Sequence, residues 1–395
     1  MNKIRSIVAG REGFLSQSIT SATTFLTSLL IINISNPIEL RKWFLYVVSA
    51  LVFQGFLRST FLEQRILTSD KKHSRTSFFI LLFSLFPVSI IPIVSMHTKS
   101  SFGILDSLMI IFAVLSLLQD ILRYLLFQSK GSSVILGDSI WLFSATTVLV
   151  ITYLRPETRL TTVIALLIVG PMLAIVYLVL RLEKVDFNLK VVGLSYINHF
   201  QYLVGASSLF FSLLLNFLIA KYLDDDNFRN LRIVQTLASP VQAIMLSFWL
   251  HTVLENKDGK NIRSVMQSIR SNFRLLSRYS LPIIAVFGSL FLVSAEIFSY
   301  SISFCVLLGI FASVTNSCFY PIGTFMRRKR MFQEMFEVNL LVGFLVSLIF
   351  FVRGSELKLI EIQLYLSVSI VLIQILYWFR ITYSQSQRNE NCEIK

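Results

Sequence analysis

Twelve long apolar runs constrain this chain more than any other feature. Each run has roughly the 20 residues that a helix needs to cross the hydrocarbon core of a bilayer, and only 15% of the 395 residues are charged. We therefore predict an all-α fold, a polytopic membrane protein with about 12 transmembrane helices. The predicted spans are 13–35, 43–63, 77–96, 103–127, 134–154, 160–181, 197–220, 231–254, 280–299, 301–325, 335–352 and 359–383.

The distribution of basic residues predicts the orientation of these spans. With twelve spans, 24 of the 36 Lys and Arg residues fall in the two tails and the loops on their side, and 10, Lys42 and Arg232 among them, fall in the opposite loops. Cytoplasmic loops carry the excess of basic residues, so we expect a protein of the cell inner (cytoplasmic) membrane with both termini cytoplasmic. The same count explains the net charge of +14 without a nucleic-acid partner.

A weak internal repeat divides the chain into two halves. Residues 21–31 resemble residues 205–215 at an offset of 184, and residues 56–64 resemble residues 248–256 at an offset of 192. Both matches lie six spans apart, so they predict two six-helix lobes related by an axis along the membrane normal. Chance similarity between apolar helices rich in Ser and Thr is the alternative. The predicted lobes are 1–190 and 191–395.

The segment at about 257–279 carries a basic amphipathic pattern. Its apolar residues recur at spacings of three and four, which is typical of one helical face, and its arginines fall mostly elsewhere. We predict a cytoplasmic helix whose apolar face dips into the membrane while its arginines meet anionic lipid head groups. A solvated basic loop is the alternative. The apolar residues are Ile262, Val265, Met266, Ile269, Phe273 and Leu276.

Four charged residues fall inside predicted spans of the first half at similar depth: Arg58, Asp120, Arg123 and Asp138. A charge at membrane depth costs about 2.5–3.5 kcal/mol on insertion scales, so each needs a partner, water or a function. Asp120 and Arg123 lie three residues apart and can pair, which leaves Arg58 and Asp138 as a second pair. The four residues form either a hydrated, basic pocket for an anionic head group or a clamp that holds spans two, four and five together.

Uncharged polar residues inside the spans extend the candidate binding set. They either line a cleft and bond the hydroxyls of a sugar or bond across helix interfaces. His199 and His251 have no further ligand at metal-binding spacing, so we expect no metal site and no cofactor. The candidate binding residues of this kind are Gln17, Gln54, Gln235 and Gln242.

The sequence carries no recognisable catalytic motif. It lacks a phosphate-binding glycine-rich loop that ends in Lys-Ser or Lys-Thr and a Gly-x-Ser-x-Gly turn, so we expect that the chain is not an enzyme. An acidic residue near the midpoint of a span, typical of a cation-coupled carrier, is also missing, since Asp106 and Glu296 lie near the outer ends. The sequence therefore favours a cation-coupled exporter less, and this function stays an alternative.

Five stretches combine apolar patterns with fixed polar positions: 16–26, 36–40 with the span that follows, 118–124, 136–142 and 231–240. In these stretches the chain resembles the polysaccharide flippases of the multidrug/oligosaccharidyl-lipid/polysaccharide exporter superfamily. The second half departs from that family because no cluster of cavity arginines appears in it.

The resemblance implies a MATE-like, two-lobed inverted V. Such a carrier passes an undecaprenyl-pyrophosphate-linked oligosaccharide to the outer leaflet by alternating access, as O-antigen and other polysaccharide biosynthesis requires. On this interpretation Arg58 and Arg123 contact the phosphates, and Asp120 and Asp138 hold and partly neutralise them while the site is empty. A cation-coupled exporter of small solutes with the same fold is the alternative function.

Overall fold

A computed structural model describes the greater part of the chain. The predicted third and ninth spans, 77–96 and 280–299, lie outside the described residues. The described residues are 2–57, 102–127, 131–181, 199–238, 265–271, 274, 300–354 and 356–393.

Every predicted span that falls on described residues is helical. The described helices, or described parts of helices, are α1 (Asn2–Ile34), α2 (Pro37–Leu57), α3 (Ile104–Phe127), α4 (Gly131–Leu154), α5 (Leu160–Arg181), α6 (His199–Tyr222), α7 (225–238), α8 (265–271), α9 (Tyr300–Arg328), α10 (Phe332–Arg353) and α11 (Leu359–Glu393).

Seven of the described helices are long and apolar enough to cross a membrane, and α9 makes an eighth if its two arms form one span. The arms of α9 meet at an angle of 43° at a break just before Pro321, since proline removes a backbone donor and crowds the preceding turn. Large side chains such as Phe143, Leu180 and Phe351 are exposed, which suits a surface in contact with lipid. The all-helical, polytopic prediction is confirmed.

The two halves pack their helices in the same pattern. In the first half α4 packs on α1, and α5 packs on α3 and α4. In the second half α10 packs on α6, and α11 packs on α9 and α10. These are the helices that lie six predicted spans later, and a duplicated six-span unit would produce the same correspondence.

A single offset of 188 residues relates the first helices of the two halves. Buried positions at the end of α1 recur at the end of α6, and those at the start of α2 recur in α7. The pairs are Leu30 and Leu218, Ile31 and Ile219, Ile32 and Ala220, Ser35 and Leu223, Leu40 and Phe228, Trp43 and Leu231, Phe44 and Arg232, and Tyr46 and Val234.

The offset of 184 predicted for residues 21–31 is about one helical turn less than the 188 that relates these buried positions. A shift of four residues keeps a side chain on nearly the same helical face, so small and hydroxyl residues align almost as well at either offset. The predicted partner of the second match, 248–256, lies outside the described residues.

The helices place the candidate residues near two ends of the bundle. Asn36, between α1 and α2, shares one end with the turn at 155–159 and with residues 354 and 356–358. We call this the Asn36 end. Asp138, in the second turn of α4, marks the opposite end, which we call the Asp138 end.

A side-chain cap begins the second helix of each half, α2 and α7. At the start of α2, the N–H of Glu39 donates to Oδ1 of Asn36 at 2.9 Å, and the N–H of Asn36 donates to the Glu39 carboxylate at 3.0 Å. At the start of α7, Asp224, the equivalent of Asn36, accepts from the N–H of Asn227 at 2.7 Å. These caps satisfy donors that a helix start leaves unpaired.

Glycine lets neighbouring helices of one half approach closely. A Cβ atom at Gly170 of α5 would lie 2.7 Å from the Trp141 ring of α4, and one at Gly343 of α10 would collide with Phe211 of α6. Small residues at helix contacts bring the two backbones together, so a larger side chain at either position would force the helices apart.

The described part of the basic amphipathic segment, α8, packs on protein. Val265 and Ile269 are buried in a cluster with Met326, Met335 and Tyr377, which come from α9, α10 and α11. The prediction that Val265 and Ile269 dip into the membrane is wrong, because the apolar ends of three helices already cover them.

Candidate functional site

A buried network of five polar side chains lies at the Asp138 end of the first half. Asp138 accepts from Oγ of Ser16 at 2.6 Å, Nε2 of Gln119 at 2.7 Å and Nε of Arg123 at 3.0 Å. Arg123 also donates from Nη1 to Asp120 and from Nη2 to Oγ of Ser16, each at 2.8 Å. We call these five residues the Asp138 cluster.

The Asp138 cluster connects α1, α3 and α4. The carboxylates of Asp120 and Asp138 both contact the guanidinium of Arg123, and each of its three nitrogens has an acceptor. Removing one partner of such a buried ion pair is strongly destabilising. The geometry is that of a clamp, which was one of the two predicted alternatives.

The described part of the clamp adds contacts that the sequence analysis did not predict. Asp138 pairs with Arg123, whereas the predicted pair of Asp138 with Arg58, and with it the contribution of the second span, lies outside the described residues. Ser16 bonds to both Asp138 and Arg123, so the first span joins the fourth and fifth in the clamp. A serine in an apolar helix gave no signal of this role.

The second half carries neutral side chains at the corresponding place. The buried faces of α4 and α10 align at an offset of 201 residues, so Asn339 takes the position of Asp138. Oδ1 of Asn339 accepts from the hydroxyl of Tyr377 at 2.7 Å, and Nε2 of Gln374 donates to Oδ1 of Asn316 at 2.8 Å. The sequence analysis did not single out this network, whose members differ from other polar residues of the spans in no visible way.

Reciprocal arginine contacts join the two halves at the Asn36 end. Arg41 of α2 donates to the carbonyl of Leu223 at 2.6 Å and pairs with Asp225 at 2.8 Å. Arg229 of α7, its equivalent 188 residues later, donates to the carbonyl of Ile32 at 2.7 Å. Carbonyls at a helix C-terminus are unpaired and attract cations. We call this set of contacts the Asn36-end seam.

Arg232 of α7 is buried in the same seam, with 8% of its surface exposed. Cζ of its guanidinium lies 3.0 Å from the ring centroid of Phe44, its repeat equivalent, and 5.1 Å from that of Phe228. Nη1 donates to Oε1 of Gln235, whereas Nε and Nη2 have no hydrogen-bond partner in the part of the chain that the structure describes. The prediction of Arg232 as a loop charge is therefore wrong.

The other predicted binding residues lie partly within the described residues. Gln17 and Gln54 are half-buried in α1 and α2, and Gln235 belongs to the Asn36-end seam. Arg58 and Gln242 lie outside the described residues. In the part of the chain that the structure describes, no three His, Cys, Asp or Glu side chains come together in a way that could hold a metal ion.

No family model matches the chain, and no curated protein matches it. Solved structures match over nearly its whole length. A MATE in complex with MaD3S is 14% identical and covers 96% of each chain, with a TM-score of 0.57. The outward-facing conformation of a multidrug resistance MATE family transporter of the MOP superfamily is 12% identical and covers 97% of this chain and 96% of that one, with a TM-score of 0.55.

A third solved structure is a MOP superfamily transporter from Pyrococcus furiosus, described by a binding pocket whose reverse polarity suggests a different function. It is 12% identical and covers 96% of this chain and 95% of that one, with a TM-score of 0.53. The chain thus has the fold of MATE and MOP superfamily transporters, and the predicted MATE-like fold is confirmed.

Proposed function

We propose that this protein is an alternating-access transporter that moves a lipid-linked oligosaccharide, of the undecaprenyl-pyrophosphate type, across the cytoplasmic membrane. The Asn36-end seam carries the proposal. Its contacts from Arg41 and Arg229 run between the two halves and end on helix termini. Such contacts can part and form again while the packing inside each half stays intact, and this is what rocking about a central cleft requires.

The orientation completes this proposal. If both termini are cytoplasmic, as the loop charges predict, the Asn36 end faces outward. The described conformation is then closed to the outside by the Asn36-end seam. Opening of the seam would release the substrate into the outer leaflet.

The charges at the seam support an anionic substrate. The cross-half contacts described above involve the guanidinium groups of Arg41, Arg229 and Arg232 and the carboxylate of Asp225. An excess of guanidinium groups suits a substrate that carries phosphate. An inside-negative membrane potential then drives an anion outward, with about 2.3 kcal/mol released per charge per 100 mV, so transport needs no ATP.

The proposed substrate contacts at the Asp138 end are Arg58 and Arg123. Arg123 is held by Asp120 and Asp138 in the described conformation, so a phosphate would have to replace one of these carboxylates. Gln17 and Gln54 in the first half, with Gln235 and Gln242 in the second, are the proposed contacts to sugar hydroxyls.

Reconstituted vesicles test the proposal. The probe is an undecaprenyl-pyrophosphate disaccharide with a fluorophore on the sugar, quenched from outside by iodide, which leaves disulfides intact. We expect the purified protein to make the inner-leaflet probe accessible, and a disulfide between Arg41→Cys and Asp225→Cys to stop this until it is reduced. Vesicles in which the probe stays protected as in protein-free controls would refute the proposed substrate.

A cation-coupled exporter is the second candidate function, and the position of Asp138 favours it. Asp138 is a buried carboxylate inside a membrane-spanning helix, and such intramembrane carboxylates mark ion and proton pathways. This function predicts efflux of small solutes that collapses with the ion gradient and stops in Asp138→Asn. Flipping of the labelled glycan lipid without a gradient would speak against it.

A further inference from the structure

We propose that Arg232 is an anion-binding residue of the cleft, exposed when the Asn36-end seam opens. This inference rests on the proposed function. Two adjacent N–H groups of Arg232 would donate to two oxygens of a phosphate or pyrophosphate on the outward side of the cleft. In the closed conformation Phe44 and Phe228 cover these groups.

The first argument is the unsatisfied state of a buried cation. Among the described residues, Nε and Nη2 of Arg232 have no hydrogen-bond partner, although a buried charge is normally paired and hydrogen-bonded. Stacking on aromatic rings compensates in part. The neutral amide of Gln235 takes the remaining bond, from Nη1. Two donors are left for a ligand that the closed conformation does not admit.

The second argument is the geometry of the two free nitrogens. Nε and Nη2 form one edge of the planar guanidinium and point in parallel, which matches the spacing of two oxygens on a phosphate. Gln235 fixes the opposite side of the group through Nη1. The predicted binding residue Gln235 thereby gains a positioning role toward Arg232.

The third argument is the place of Arg232 in the repeat. Arg232 and Phe44 are equivalent positions of the two halves and contact each other across the seam. A residue that contacts its own equivalent lies at the axis relating the halves. When the halves part, Phe44 moves away with the first half, and the guanidinium of Arg232 faces the cleft between them.

Binding measurements on the full chain in nanodiscs test this inference. The background carries Ala at Cys305, Cys318 and Cys392 and the pair Arg41→Cys and Asp225→Cys, so that the seam can be locked by oxidation. The probe is farnesyl pyrophosphate, with farnesol as its uncharged counterpart, titrated by calorimetry. Arg232→Gln is compared with Arg353→Gln, which removes the same charge from an exposed side chain at the same end.

With the seam reduced, we expect Arg232→Gln to weaken pyrophosphate binding about 10- to 100-fold, the effect of removing charge-assisted hydrogen bonds. Arg353→Gln should leave binding unchanged, and Arg232→Lys, which keeps the charge but not the paired donors, should fall between. With the seam oxidised, the difference between Arg232 and Arg232→Gln should vanish, because the group is covered. If Arg232→Gln does not fold, the lysine variant carries the same comparison.

The outcomes separate this inference from the proposed function. Pyrophosphate binding that is equal for Arg232 and its variants in the reduced state would overturn the role of Arg232 and leave the transported class intact. A difference that persists in the oxidised state would also overturn it. Farnesyl pyrophosphate that binds no better than farnesol to the parent protein would refute the anionic substrate itself.

Discussion

Arg41 and Arg229 hold equivalent positions in the two halves, and each donates to carbonyls at the end of the first helix of the other half. The seam is therefore built twice from one pattern. It is asymmetric in two respects: Arg41 also pairs with Asp225, and the next equivalent pair places an aromatic ring, Phe44, against a cation, Arg232. The symmetric contacts of Arg41 and Arg229 close the Asn36 end, and the asymmetric pair of Phe44 and Arg232 places a buried cation in it.

Removal of either symmetric arginine should open the Asn36 end. Arg41→Gln and Arg229→Gln each remove charge-assisted bonds worth about 1.5–3 kcal/mol, so each should shift the ratio of closed to open molecules about 10- to 100-fold. Spin labels at Ile38→Cys and Asp226→Cys, another equivalent pair, would report the distance distribution by electron resonance. Arg155→Gln, in the exposed turn at the same end, is the control. Distributions that stay closed in both variants would contradict the role of the seam.

The Asp138 cluster should behave as one energetic unit. Arg123→Gln removes the guanidinium that pairs with both Asp120 and Asp138, at a cost of about 3–5 kcal/mol. Asp138→Asn keeps the pair of Asp120 and Arg123 and should cost about 1–3 kcal/mol. The double variant should lose less than the sum. Unfolding free energies from denaturing-detergent titration would measure this cycle, and additive losses would show that the residues do not act together.

Cysteine labelling in three exposed turns can test the predicted orientation of the chain in the membrane. Glu157 and Glu356 lie in turns of the Asn36 end, and Lys329 lies in the turn between α9 and α10 at the other end. A membrane-impermeant maleimide should label Glu157→Cys and Glu356→Cys in intact cells, and Lys329→Cys only after lysis. The reverse pattern would place both termini outside and invert the direction of proposed transport.

The helices and their order follow from the apolar runs because the bilayer sets the length of each span. The fifth and sixth spans were predicted to within a few residues of α4 and α5. Local signals also predicted the pair of Asp120 and Arg123, which are three residues apart on one helix.

The sequence could not predict toward which neighbouring helix the charged side chains at the helix ends point. Lys42 and Arg232 were counted as loop charges, yet Lys42 pairs with buried Asp106 at 2.9 Å and Arg232 lies within the seam. A count of charges per loop holds no information about which long side chains bend inward to meet a partner on another helix. The predicted repeat offset of 184 differs from 188 by one helical turn, because a shift of four residues keeps side chains on nearly the same helical face.

The contact between α4 and α5 should depend on Gly170. A Cβ atom there would lie 2.7 Å from the Trp141 ring and 3.0 Å from Ser144, so Gly170→Ala should cost about 1–3 kcal/mol through overpacking. Gly323→Ala, in α9, has nothing within 4 Å of the added atom and should be neutral or gain about 0.5–1 kcal/mol from helix propensity. Thermal denaturation of the two variants would compare them. Equal midpoints would show that α4 and α5 can separate at no cost.

The helix α8 should be held by its contact with the second half and not by lipid. Val265 and Ile269 are buried against α9, α10 and α11, whereas Met266 is 38% exposed. Ile269→Asp should therefore release the helix, because a carboxylate cannot be buried unpaired in that apolar cluster, while Met266→Asp should leave it in place. Hydrogen exchange of the peptide that covers 265–271 would show faster exchange only in Ile269→Asp. If Met266→Asp had the larger effect, and only when lipid is present, the membrane would be the surface that holds α8.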